Sequence, residues 1–133
     1  MNYTSIEQSK KLLELGLNPH SADMYWSTED TYGRTYAAHI GEHIAIRENL
    51  FSFRHGLVFP CWSVGVLLEL MPTIIEKDGK VLRLRMDKGN NDYAIWYEEL
   101  STGLCDEKLD VTKNTFMDAA FEMVCWLKEN KYI

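Results

Sequence analysis

The residues best able to do chemistry are scattered along the chain, and each group depends on the element that would hold it. His39-Ile40-Gly41-Glu42-His43 has the H-x-x-E-H order. On a helix that order sets two histidines one turn apart and places a glutamate beside a metal-bound water. Gly41 weakens any helix there, and the following Ile44-Ala45-Ile46 alternates as a strand does. A third ligand would have to come from His20, His55 or a distant carboxylate. A small metal-dependent hydrolase using His39, Glu42 and His43 is therefore the alternative, and no catalytic residue, metal or cofactor is assigned. Ser63 lies in Cys61-Trp62-Ser63-Val64-Gly65, which lacks the first glycine of a nucleophile elbow, so it reads as a helix cap. Cys61, Cys105 and Cys125 are odd in number, far apart and flanked by apolar residues. That is the pattern of buried thiols in a reducing compartment. Glu98-Glu99 and Asp106-Glu107 are adjacent pairs, which a strand points to opposite faces, so neither makes an acid–base couple.

A more coherent grouping comes from strand register. Val81 to Met86 alternates, with Leu82, Leu84 and Met86 on one side and Val81, Arg83 and Arg85 on the other. The polar loop Asp87 to Asp92 then turns the chain into Tyr93-Ala94-Ile95-Trp96-Tyr97. Any even loop puts Tyr93, Ile95 and Tyr97 with the leucines, and Ala94 and Trp96 with Arg83 and Arg85. An odd loop would mix the two sets, so burial selects the even register. Arg83, Arg85 and Trp96 are thus the expected binding residues, with a guanidinium over the indole. Such a face suits a protein hot spot or, as a further alternative, single-stranded nucleic acid.

The remaining elements follow from caps and periodicity. A helix is expected after Thr4, whose spacing to Glu7 is that of a capping box, with Gly16 and Asn18-Pro19 ending it. Residues 18–60 are aromatic-rich and read as an irregular segment. One hairpin in it pairs Ile44-Ala45-Ile46 with Phe51-Ser52-Phe53 across Glu48-Asn49. A central helix is predicted from Pro60-Cys61-Trp62-Ser63 to Pro72, with Gly65 permitting close packing. Asp78-Gly79 turns Ile74-Ile75-Glu76 into the strand at Val81, and Gly103 leads into a charged edge strand over Leu104 to Leu109. Thr115 caps a final helix whose stripe is Phe116, Ala119, Ala120, Met123, Val124 and Leu127, widened by Phe121 and Trp126. The expected fold is α+β, a single domain over residues 1–133. It runs as N-terminal helix, irregular segment with a β-hairpin, central helix, antiparallel meander and C-terminal amphipathic helix on the sheet.

The 133 residues carry 20 acidic against 14 basic side chains, a formal net charge of −6. That balance speaks against a protein built to grip duplex phosphate and for protein partners. With 8 glycines, 3 prolines and 3 cysteines, collagen-like, disordered and disulfide-scaffold classes are excluded. The N-terminus has no basic and apolar run of a signal peptide, and the longest apolar stretch, Val64 to Met71, falls far short of a ~20-residue span. No membrane contact and a cytoplasmic location are expected.

Two blocks carry a resemblance. Pro60-Cys61-Trp62-Ser63-Val64-Gly65-Val66-Leu67-Leu68-Glu69-Leu70-Met71-Pro72 and Asp118-Ala119-Ala120-Phe121-Glu122-Met123-Val124-Cys125-Trp126-Leu127 resemble a group of short proteins carried by phages and mobile elements of gut bacteria. The opening Ser9 to Leu17 and the hairpin from Leu82-Arg83-Leu84 to Trp96-Tyr97 fit the same group. The resemblance implies a common fold and a cytoplasmic accessory role. It transfers no catalytic residue, since the group has no established activity. The expected function is a small non-enzymatic interaction protein, binding another protein or itself.

Overall fold

The computed structural model describes residues 2–28, 36–40 and 58–133. The chain forms two compact units, Met1–Val66 and Leu67–Ile133.

The first unit opens with helix α1 (Ile6–Glu14). Its N-cap is Ser5: the Ser5 hydroxyl accepts from the Gln8 amide at 3.1 Å, and the Gln8 side chain accepts from the Ser5 amide at 2.9 Å. This corrects the Thr4–Glu7 capping box by one residue. Both pairs have the right spacing, but the Thr4 hydroxyl is engaged elsewhere. At the other end Gly16 takes φ 87°. The Leu17 amide donates to the Leu12 carbonyl and the Gly16 amide to that of Leu13, both at 3.0 Å. This left-handed C-terminal motif needs a residue without Cβ strain at that point.

After a single 3₁₀ turn at Pro19–Ser21 come strands β1 (Met24–Thr28), β2 (Tyr36–Ile40) and β3 (Val58–Cys61). They form an antiparallel sheet in the order β2-β1-β3. The segment read as irregular therefore supplies a sheet, whose partners are too distant in sequence for a local signal. The proposed Ile44–Ile46 and Phe51–Phe53 hairpin lies outside the described residues. Pro60 is part of β3, where an edge strand tolerates a missing donor, and not of the helix that follows. Helix α2 (Val64–Leu70) starts after Ser63, whose hydroxyl accepts from the Val66 amide at 3.3 Å. Gly65 is exposed, and among the described residues a Cβ there would meet only the Ser63 hydroxyl, at 3.9 Å, so no close packing with them requires it.

The second unit is an antiparallel meander in the order β4-β5-β6-β7. The strands are β4 (Ile74–Lys77), β5 (Lys80–Lys88), β6 (Tyr93–Glu99) and β7 (Cys105–Lys113). Asp78 and Gly79 both take positive φ, 54° and 76°, between the paired Lys77 and Lys80. Two positive values are what the twist-matched two-residue turn requires. Lys88 pairs with Tyr93 across a loop of even length, so Leu84 faces Tyr97, Met86 faces Ile95 and Arg85 faces Trp96, the expected register. The edge strand β7 runs to Lys113, past the expected end at Leu109.

Helix α3 (Phe116–Glu129) packs against β6 and β7. Its N-cap is Thr115, whose hydroxyl accepts from the Asp118 amide at 3.1 Å. Ala119, Ala120, Met123, Val124 and Leu127 are fully buried, as are Ile95, Tyr97 and Leu109 on the sheet. The fold is α+β with the C-terminal helix on the sheet. Among the described residues no helix is long and apolar enough to cross a membrane.

Candidate functional site

The second unit's sheet has two faces of different character. One carries Leu82, Ile95, Tyr97 and Val111, all buried, with the Tyr97 hydroxyl donating to the Pro72 carbonyl at 2.7 Å. The other, outer face carries Arg83, Arg85 and Trp96 in the expected register. Arg83 and Arg85 are exposed, whereas Trp96 is half-buried.

The three residues are organised by a fourth, Glu98. Its carboxylate pairs with the Arg85 guanidinium at 3.3 Å and accepts from the Trp96 indole N–H at 3.3 Å. Arg85 stands directly opposite Trp96, but its recorded ion pair is with Glu98. A charge-assisted hydrogen bond outweighs an exposed guanidinium–indole contact, which explains the departure from the expected stacking. In sequence Glu98 shows only as half of an adjacent acidic pair. Its position two residues beyond Trp96, on the same face, was the signal that could have found it. Glu99 points the other way, as expected, and accepts from Ser101 and Thr102 hydroxyls, both at 3.0 Å. Those donors hold its carboxyl below the ordinary range.

Apolar side chains complete this outer face. Val81 and Leu100 lie level across β5 and β6, the Leu100 amide donating to the Val81 carbonyl at 3.1 Å. Ile74 stands opposite Arg83. All three are open to solvent: Ile74 is 44% exposed, Val81 39% and Leu100 51%. Among the described side chains, the charged residues of the face by register are Arg83 and Arg85 against Glu76, Asp87, Glu98 and Asp110. Carboxylates outnumber guanidiniums there, which disfavours a phosphate backbone.

His39 lies on β2, paired with Tyr25, so no helix starts at the first ligand of the H-x-x-E-H pattern. Glu42 and His43 lie outside the described residues. Cys61 is buried, and its thiol is within reach of Thr4, 3.5 Å from the carbonyl and 3.7 Å from the hydroxyl. Burial pushes the thiol up to about 11, with the Asp23 carboxylate adding to the rise, so it is no nucleophile at neutral pH. Ser63 donates to Asp23 at 2.5 Å, and its amide donates to the same carboxylate at 2.9 Å. Cys105 is exposed, which corrects the expectation that all three thiols are buried. Partial burial and the Asp110, Asp106 and Glu98 carboxylates raise its thiol too. It borders a cleft of about 300 Å³ lined also by Lys77, Lys80, Glu99 and Asp106. There the Lys77 ammonium is engaged by Asp106 at 2.8 Å, which raises its pKa and leaves the site charge-paired.

No family model, curated protein or solved structure matches the chain.

Proposed function

We propose that the protein is a small non-enzymatic interaction protein whose contact surface is the outer face of the β4–β7 sheet. The observation that carries this reading is Trp96. Its indole is held in place by Glu98, on a face where Ile74, Val81 and Leu100 remain open to solvent. A pre-positioned tryptophan with a neighbouring arginine is the chemistry of a protein hot spot, because little rotamer freedom is left to lose on binding. The surplus of carboxylates on the same face favours a protein over single-stranded nucleic acid. The role that fits is the cytoplasmic accessory one implied by the resemblance to phage and mobile-element proteins.

Photo-crosslinking tests this directly. Benzoylphenylalanine is carried at position 112, exposed on the outer face opposite Ala94, or, as a control, at position 129 on the exposed end of α3, in cells making the full chain. Discrete protein adducts are expected from position 112 alone and are lost in Trp96→Ala. Equal labelling from both positions, or adducts removed by nuclease, would overturn the reading.

A further inference from the structure

The outer face is complementary to itself, and we infer that its occupant is a second copy of this chain, packed face to face. The inference rests on the interaction reading above and names its partner. A two-fold axis lying in the interface, parallel to the strands and midway between β5 and β6, lays each β5 over the other copy's β6. Every pair of β5 with β6 within one chain then becomes a pair between chains. Val81 meets the second copy's Leu100, joining apolar side chains that are solvent-exposed in one chain. Arg83 meets the second copy's Glu98, and Arg85 meets its Trp96.

Each of these contacts is favourable, and the symmetry makes each twice. Arg83 gains most: among the described residues it has no ion pair, since the Glu98 opposite it in its own chain is engaged by Arg85 and Trp96. Glu98 uses one oxygen on Arg85 and the other on Trp96, and each oxygen keeps a further lone pair for an incoming guanidinium. Aligned sheets pack about 10 Å apart with a rotation near 30°, which long Arg and Glu side chains span close to the axis. The net charge of −6 on each copy and the surplus of carboxylates on the face both oppose association. That repulsion is screened beyond about 8 Å at physiological salt, whereas the contacts are local.

The size of the face sets the strength. Four strands at ~4.8 Å, with seven paired residues on β5 and β6 at ~3.3 Å each, give a flat footprint of roughly 400 Å² per copy. A standard interface buries about 800 Å² on each partner, so the dimer belongs to the weak, exchanging class with a dissociation constant on the order of micromolar.

Sedimentation equilibrium of the full chain from 1 to 500 μM (roughly 1–500 times such a constant) is expected to show the mass rising from monomer toward dimer. Trp96→Ala and Val81→Lys should each weaken the dimer by about tenfold or more. Arg83→Glu and Glu98→Arg should each abolish it alone, because each sets like charges against each other across the axis. Mixing those two variants should restore a heterodimer, in which both inter-chain pairs are again opposite while the pairs within each chain stay mismatched. A role confined to the folded monomer would give no such rescue. A strict monomer at 500 μM, a dimer indifferent to Trp96→Ala and Val81→Lys, or a mixture that stays monomeric overturns self-association. If position 112 then still crosslinks a foreign protein, the interaction reading stands without this partner. If it crosslinks nothing, both fail.

Discussion

Trp26 and Trp96 sit on strands of different sheets and use their indole N–H in opposite ways. Trp26, 9% exposed, donates to the Thr4 backbone carbonyl at 3.0 Å, among Met24, Cys61 and the edge-on Tyr3 ring at 5.7 Å. Trp96 donates to the Glu98 carboxylate and stays half-buried. A neutral carbonyl can accompany an indole into a core, whereas a carboxylate keeps its surroundings wet. The acceptor therefore distinguishes a tryptophan that holds the fold together from one that is presented on a surface.

The sharpest way to break this contrast is to truncate both. Trp26→Ala is expected to cost about 3–5 kcal/mol of unfolding free energy in urea, as large-to-small core changes do. Trp96→Ala is expected to cost about 1 kcal/mol or less, its effect falling on association. Equal losses would dissolve the distinction.

Thr4 comes next. Its hydroxyl accepts from the Trp62 amide at 3.0 Å and bonds the Ser9 hydroxyl at 2.8 Å, all three fully buried. Thr4→Val keeps the shape but strands a buried amide, an expected loss of about 1–3 kcal/mol. Adding Ser9→Ala should then cost less than it does alone, since its partner is already gone.

The Cys61 thiol sharpens the comparison through pH. It stays neutral up to about 11 in the fold, while an unfolded thiol ionises near 8.5. Between those values the unfolded chain binds fewer protons, so stability falls as pH rises. The slope from this group is up to about 1.4 kcal/mol per pH unit. Cys61→Ala should remove that share of the decline in urea titrations at pH 8 to 11. The Tyr97 hydroxyl, also raised by burial, continues the loss at the alkaline end in both proteins.

The smallest effect is expected at Arg85→Ala. Its ion pair with Glu98 is half exposed, and such pairs contribute roughly 0–1 kcal/mol. A loss well above 1 kcal/mol in the same urea assay would mean that the outer face is part of the core.

Much of the second unit was legible in sequence because its signals are local. Asp78-Gly79 names its turn, one even loop fixes which of Leu84 and Arg85 faces inward, and Thr115 with the apolar stripe defines α3. The first unit resisted because its decisive contacts join residues far apart. Met24 pairs with Cys61 and Tyr25 with Pro60, so neither the strand nor the use of that proline shows locally. Thr4 and Ser5 competed as caps on equal terms until the Trp62 amide claimed the threonine. On the outer face the three expected residues share a side as read, but Glu98 was hidden because an acidic pair on a strand resembles ordinary solvated charge.

The bridge between Tyr3 and Ser63, with Thr4 and Trp62 joined amide to carbonyl at 2.9 Å, ties the beginning of the chain to residues some sixty positions later. On the ribosome that tie cannot close until the later residues emerge, roughly 3 to 12 seconds behind at ~5–20 residues per second. During that interval the Thr4 hydroxyl lacks the Trp62 amide and the first helix lacks β3 to dock on. The early nascent chain is therefore the state in which this protein is most open to chaperones and proteases.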